Sequence, residues 1–229
     1  MKKIAGLAAF VGTLAMMAGA TPVPAADAQV AQAAAGMSPK QLYMRNTCIA
    51  CHGRDGKMSI LDYPNIAGQD QKYLEDQMKD IRDGKRLGSN DATGNPRTKG
   101  MRDVLVLPDG TFRLNDAQFK ELTTWLASLE PAPPAPAGDA KRAEEGKALY
   151  TKNKCQTCHG VDGKKPTVKG YPIVAGQKKD YIMIQVKDMR DGKRTNGKSK
   201  LMVPNIKKMT DQEIELVAEY LSQIDRTAK

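Results

Sequence analysis

The sequence is poor in the residues that most enzyme chemistry draws on. Among 229 residues there are two histidines, four cysteines, one tryptophan and three phenylalanines. Aromatics amount to 5%, and mean hydropathy is −0.53. Two small domains with so little aromatic mass have thin cores, so an extra apolar body is expected to complete each of them. The lysines are scattered between acids and not interleaved with rings, which argues against nucleic acid as a partner. Beyond the N-terminus no run is apolar enough to span a bilayer.

The six cysteines and histidines all fall in two copies of one pentapeptide, Cys48-Ile49-Ala50-Cys51-His52 and Cys155-Gln156-Thr157-Cys158-His159. C-x-x-C-H is the attachment signature of a c-type haem. The two thiols add across the haem vinyl groups, and the next histidine is placed to ligate the iron from one side. Two covalently bound haem c groups are therefore expected, on Cys48 with Cys51 and on Cys155 with Cys158. A single C-x-x-C reads equally as a zinc knuckle or a thioredoxin-like redox pair. Here the motif is doubled, and no fourth zinc donor of the usual kind is left over. With every cysteine committed, no disulfide is expected.

His52 and His159 are the expected proximal ligands, so neither iron has a second histidine available. Methionine is the expected distal ligand, and a thioether opposite histidine raises the reduction potential. In the second copy the candidate is Met202, on a loop after Asn196-Gly197. Met209 abuts a helix start, and Met183 and Met189 lie on a helix and are expected in the core. In the first copy the candidate is Met101. Met44 and Met58 lie too near the attachment motif, Met78 is on a helix face, and an open or otherwise ligated iron is the alternative.

The chain is an internal repeat. Beyond the motifs, Tyr63-Pro64 and Ala67-Gly68-Gln69 recur as Tyr171-Pro172 and Ala175-Gly176-Gln177, and Asp83-Gly84-Lys85-Arg86 recurs as Asp191-Gly192-Lys193-Arg194. The Pro/Ala stretch 131–138 separates the copies and predicts an extended, semi-rigid spacer of roughly 20 Å. Residues 38–130 and 139–229 are then two domains, and a pseudo-twofold arrangement is expected. In the first, Ser38 caps a helix that runs into Cys48, with Pro39 at its first position. A second helix is expected over 70–83, with Tyr73, Leu74, Met78 and Ile81 at helical spacing, and its twin over 179–191. The third helices start at Asn115 and Thr210, each a capping-box pattern. Val104-Leu105-Val106-Leu107, Pro108-Asp109-Gly110 and Thr111-Phe112-Arg113 predict a small hairpin that the second domain lacks.

The N-terminus reads as an export signal over residues 1–25. Lys2 and Lys3 precede an uncharged apolar run from Ile4 to Ala20, with cleavage expected after Ala25 or Ala28. Residues 26–37 are expected to be disordered after export. The soluble part then lies in the periplasm, and an uncleaved N-terminus with peripheral membrane association is the alternative. The formal charge of +10 is lopsided. Residues 38–130 carry 14 Lys and Arg against 13 Asp and Glu, whereas residues 139–229 carry 20 against 12. A basic second lobe steers docking to an acidic partner. Lys57, Lys164 and Lys165 are candidates for a docking rim.

With both motifs, the Tyr-Pro-x-x-Ala-Gly-Gln segments and the methionines before the capping boxes in view, the sequence resembles the cytochrome c4 family. These are dihaem periplasmic cytochromes built from two similar class I domains. The resemblance implies an all-α fold of two tandem class I cytochrome c domains. It implies His/Met ligation by His52 with Met101 and by His159 with Met202. It also implies electron shuttling, without enzymatic turnover, from a quinol-oxidising complex to a terminal oxidase. A dihaem subunit of a sulfide- or alcohol-oxidising dehydrogenase is the second reading. An enzyme such as a thiosulfate dehydrogenase or peroxidase is disfavoured, because no Cys or His is spare.

Overall fold

The computed structural model describes residues 36–227, and the export signal with its cleavage site lies outside them. The first half carries α1 (Pro39–Arg45), α2 (Cys48–His52), α3 (Gln71–Arg82), α4 (Lys99–Leu105) and α5 (Asp116–Ser128). The second carries α6 (Ala140–Lys152), α7 (Gln156–His159), α8 (Lys179–Arg190), α9 (Val203–Ile206) and α10 (Asp211–Ser222). The described residues form no strand beyond two isolated bridges.

Local signals set the helix ends. Ser38, Asn115 and Thr210 each close a full capping box, with Gln41, Gln118 and Glu213. Each box satisfies an otherwise orphaned backbone N–H at both of its ends. Gly84 and Gly192 follow α3 and α8 at φ of 71°, the left-handed backbone that ends a helix at no steric cost. The apolar stripes then meet. Leu42, Tyr43, Leu74, Met78, Ile81, Phe119, Leu122 and Leu126 form one buried core. Tyr150, Ile182, Met189, Met209, Ile214, Val217 and Leu221 form the other.

Several expectations are corrected. The first helix does not run into Cys48. It ends at Arg45 with Asn46 as its cap, and Thr47 adopts a left-handed φ of 56° before a new turn begins; Lys154 does the same at 57°. Met37, the last residue of the stretch expected to be disordered, packs on the first core. The predicted hairpin shrinks to its turn. Leu107 N donates to Thr111 O at 2.8 Å and Arg113 N to Leu105 O at 3.0 Å, leaving one bridge, Val106 to Phe112. Val104 and Leu105 are instead the end of α4. Helical spacing puts Leu105 on the same face as Met101, and burial of Leu105 outweighs the strand preference of a β-branched run.

The linker 131–138, expected as an extended spacer, also makes contacts of its own. Ala132 is buried, and Ala135 N donates to Ser222 O at 2.9 Å, so the strap lies on the second domain. The halves pack directly through reciprocal polar contacts. Arg86 reaches Tyr181 Oη at 2.9 Å and Gln185 Oε1 at 2.8 Å. Arg194 reaches Tyr73 Oη at 3.3 Å and Gln77 Oε1 at 2.9 Å. Tyr73, read as a stripe residue, and its twin Tyr181 therefore serve the interface between domains. The exchange of equivalent partners is the signature of a pseudo-twofold axis.

The domains differ at their first helices. α6 has 13 residues and α1 only 7. Gly146 lets α6 cross α10 at backbone contact, because a Cβ there would lie 2.1 Å from Leu216 O. Pro39 occupies the corresponding place in α1, so α5 keeps an open depression beside it, lined by Thr124, Trp125 and Ser128.

Candidate functional site

Each attachment motif is a single helical turn held from both sides. Tyr43 Oη donates to Gly53 O at 2.7 Å, and Tyr150 Oη donates to Gly160 O at 2.7 Å. Burial pushes both phenols up, so they stay protonated as donors. The chain reverses immediately after each histidine. Gly53 has φ of 72° and Gly160 of 84°. A Cβ at Gly53 would lie 2.2 Å from Met58 O, and one at Gly160 would lie 2.3 Å from Lys165 O. The loop then comes back against the motif, with Ile60 N donating to Cys51 O and Thr167 N to Cys158 O, both at 3.0 Å.

That return places a carbonyl against each imidazole. His52 Nδ1 lies 2.9 Å from Pro64 O, and His159 Nδ1 lies 3.0 Å from Pro172 O. A carbonyl only accepts, so Nδ1 carries the proton in both rings. Nε2 then keeps its lone pair, which is the state an iron ligand needs. Burial lowers the pKa of both histidines, partly countered by these hydrogen bonds, so they are neutral near pH 7. Tyr63 and Tyr171 flank the two rings with centroids 6.5 Å away.

The thiols fit tethering better than redox exchange. A redox-active C-x-x-C depends on a lowered thiol pKa. Burial instead pushes Cys48 and Cys155 up to about 11. No group of three His, Cys, Asp or Glu side chains converges among the described residues, which leaves a zinc knuckle without a ligand set. Cys48 and Met101 both pack, half-buried, on the first core, and Cys155 and Met202 do so on the second. In each domain a motif sulfur and a methionine thus border one apolar body, and the pinned imidazole follows the second motif thiol directly in the chain. These residues suit a flat apolar macrocycle ligated through nitrogen.

The methionine candidates separate by environment. Met78, Met189 and Met209 are buried in the cores, while Met44 and Met58 are exposed. Met202 ends a 3-10 turn, Gly197–Met202, where a loop was expected, and Met101 lies in the first turn of α4. Lys57, a candidate for the docking rim, is tied to Glu130 at 3.2 Å. Lys165 is exposed and without an acidic partner among the described residues.

Two residue pairs escaped sequence reasoning. Gln69 and Gln177 recur in both copies, yet nothing local marks them as more than repeat conservation of a turn. Here Gln177 bonds Asn65 and Gln69 bonds Ile173, each across the domain boundary. Gln77 and Gln185 likewise accept from the arginines of both halves. Their signal was identical polar residues at matching places of a diverged repeat.

Two α-helical domains, each pinning a lone imidazole beside a pair of motif thiols, define a dihaem c-type cytochrome. The cytochrome c family profile matches residues 37–130 and again 143–225. Cytochrome c4 of Azotobacter vinelandii is 30% identical over 182 residues, covering 76% of this chain and 82% of that protein. The thiosulfate dehydrogenase electron acceptor of Thiomonas intermedia is 31% identical, covering 77% of each. The crystal structure of cytochrome c4 from Pseudomonas stutzeri aligns with a TM-score of 0.64 at 26% identity, over 86% of this chain and 98% of that one. The chain belongs to the cytochrome c4 family. It is a dihaem electron carrier, and its two domains carry two covalent haem c groups.

Proposed function

We propose that this protein is a periplasmic carrier taking single electrons from a quinol-oxidising complex or a dehydrogenase and delivering them to a terminal oxidase. The observation that supports this best is the matched pair of pinned imidazoles, each with Nε2 free and one half-buried methionine on the same core. A bound haem supplies one-electron exchange between ferrous and ferric iron. Cys48, Cys51, Cys155 and Cys158 would tether it, and His52 with Met101 and His159 with Met202 would supply the iron ligands. Buried side chains around them exclude water and favour the less charged ferrous state. Potentiometric titration of the exported protein, with haem counted per chain, tests the reading. Two haems, both at high potential, are expected; one high and one low would remove a methionine from the assignment.

A dehydrogenase as donor is favoured by the likeness to a relative named for accepting electrons from thiosulfate dehydrogenase. Co-purification with such an enzyme would decide between the two donors.

Docking follows the charge. The loop after each motif differs between domains. Met58 and Leu61 are 75% and 73% exposed in the first, where the second has Lys165 and Lys169. Exposed Lys200, Lys207 and Lys208 flank Met202, with no acidic partner among the described residues. This lobe suits an acidic electron-transfer partner. Lys165→Glu with Lys169→Glu and Lys208→Glu is expected to slow bimolecular electron transfer to such a partner about tenfold at low salt. Stopped-flow rates at two ionic strengths check this, and equal slowing at high salt would count against steering.

A further inference from the structure

In both domains one peptide group has the proximal histidine at one end and the opposite domain at the other. His52 Nδ1 donates to Pro64 O at 2.9 Å. The N–H of that same peptide, Asn65 N, donates to Gln177 Oε1 at 3.0 Å. The arrangement repeats in reverse. His159 Nδ1 donates to Pro172 O at 3.0 Å, and Ile173 N donates to Gln69 Oε1 at 2.7 Å. Both glutamines are buried, and each grips twice. Gln177 Nε2 donates to Asn65 O at 2.7 Å, and Gln69 Nε2 donates to Ile173 O at 2.8 Å.

A peptide whose N–H is engaged has a more negative carbonyl oxygen, because successive hydrogen bonds polarise one another. A stronger acceptor at Pro64 draws the Nδ1 proton and makes the imidazole a more basic ligand. A more basic ligand favours ferric over ferrous iron. The contact that controls this for one site comes from the other domain.

We propose that Gln69 and Gln177 are crossed positioning residues: each sets, through a single peptide group, the hydrogen bond of the proximal histidine in the opposite domain, and thereby that haem's potential. The inference rests on His52 and His159 being the iron ligands. The plain alternative is that the glutamines only fasten the domains together.

The test uses the full dihaem protein carrying Gln177→Leu or Gln69→Leu. Proton NMR of the reduced state reads the Nδ1–H resonances of His52 and His159. Thioether contacts to Cys48 and Cys51, or to Cys155 and Cys158, tell the haems apart. Gln177→Leu is expected to move the His52 resonance upfield. It also shifts the redox equilibrium of the first haem toward ferrous by up to about tenfold, about 59 mV for a one-electron couple. The second haem stays within about twofold of its own value. Gln69→Leu gives the mirror result. Fastening alone lowers stability and leaves both Nδ1–H resonances in place, which overturns the proposal, as does a shift confined to the haem of the glutamine's own domain. If Gln177→Leu fails to fold, Gln177→Asn withdraws the same acceptor by one methylene and is read the same way. A His52 Nδ1–H without any haem ring-current shift would instead sink the ligand assignment beneath the proposal.

Discussion

Met202→Ala is expected to lower the midpoint potential of one haem by a few tenths of a volt, within the ~0.8 V that axial ligands span, while two haems per chain remain attached. A thioether stabilises ferrous iron, and without it water or an unfilled position favours the ferric state. The neighbouring Met209 gives the contrast. It is buried in the second core and its carbonyl accepts from Arg190 at 3.0 Å, so its side chain acts by packing. Met209→Ala is expected to cost about 2–5 kcal/mol of stability through the cavity it leaves, with the potentials little changed. Potentiometry and urea titration of the two variants therefore move in opposite columns. A Met202→Ala protein with unaltered potentials would transfer the distal role elsewhere. Met101→Ala asks the same question of the first domain, where Met78 is the buried comparison.

Gly160→Ala is expected to destabilise the second domain by about 3 kcal/mol. Two costs combine. The backbone there has φ of 84°, which strains any residue with a Cβ by about 1–2 kcal/mol. The new carbon would also sit 2.3 Å from Lys165 O, a backbone atom that cannot swing aside, and such crowding costs roughly 1–3 kcal/mol. Gly192→Ala separates the two costs. Its φ is 71°, yet nothing lies within 4 Å of the added carbon, so only the backbone strain of about 1 kcal/mol is expected. Urea midpoints of both variants, taken on the dihaem protein, check the difference. Equal losses would mean that the turn after His159 has room to open.

What could be seen in the sequence was what depends on neighbours along the chain. The attachment motifs span five residues, the capping boxes four, and the helix-ending glycines one. Each declares itself without knowing the fold. Val104–Leu107 misled because its β-branched residues suit a strand, while the deciding fact, burial of Leu105 against the first core, is nonlocal. Tyr73 sat at helical spacing with true core residues, and periodicity alone does not distinguish a face that meets the core from one that meets another domain. The pairing of Gln69 with Ile173 joins residues 104 positions apart, beyond the reach of any local pattern. The proline-rich strap has the composition of a spacer, and its fastening to Ser222 is again a nonlocal contact.

That strap has a bearing on how an electron passes between the halves. Ala135 is bonded to the end of α10, and the domain boundary is crossed by guanidinium, tyrosine and glutamine contacts from both sides. Two lobes on a loose tether would meet by diffusion, and internal exchange would wait on each encounter. Lobes fastened in this way present one fixed separation, so exchange becomes a matter of tunnelling across a constant gap through a polar seam. The molecule then behaves as a short stretch of wire of fixed length, with one exposed loop apolar, at Met58 and Leu61, and its counterpart cationic, at Lys165 and Lys169.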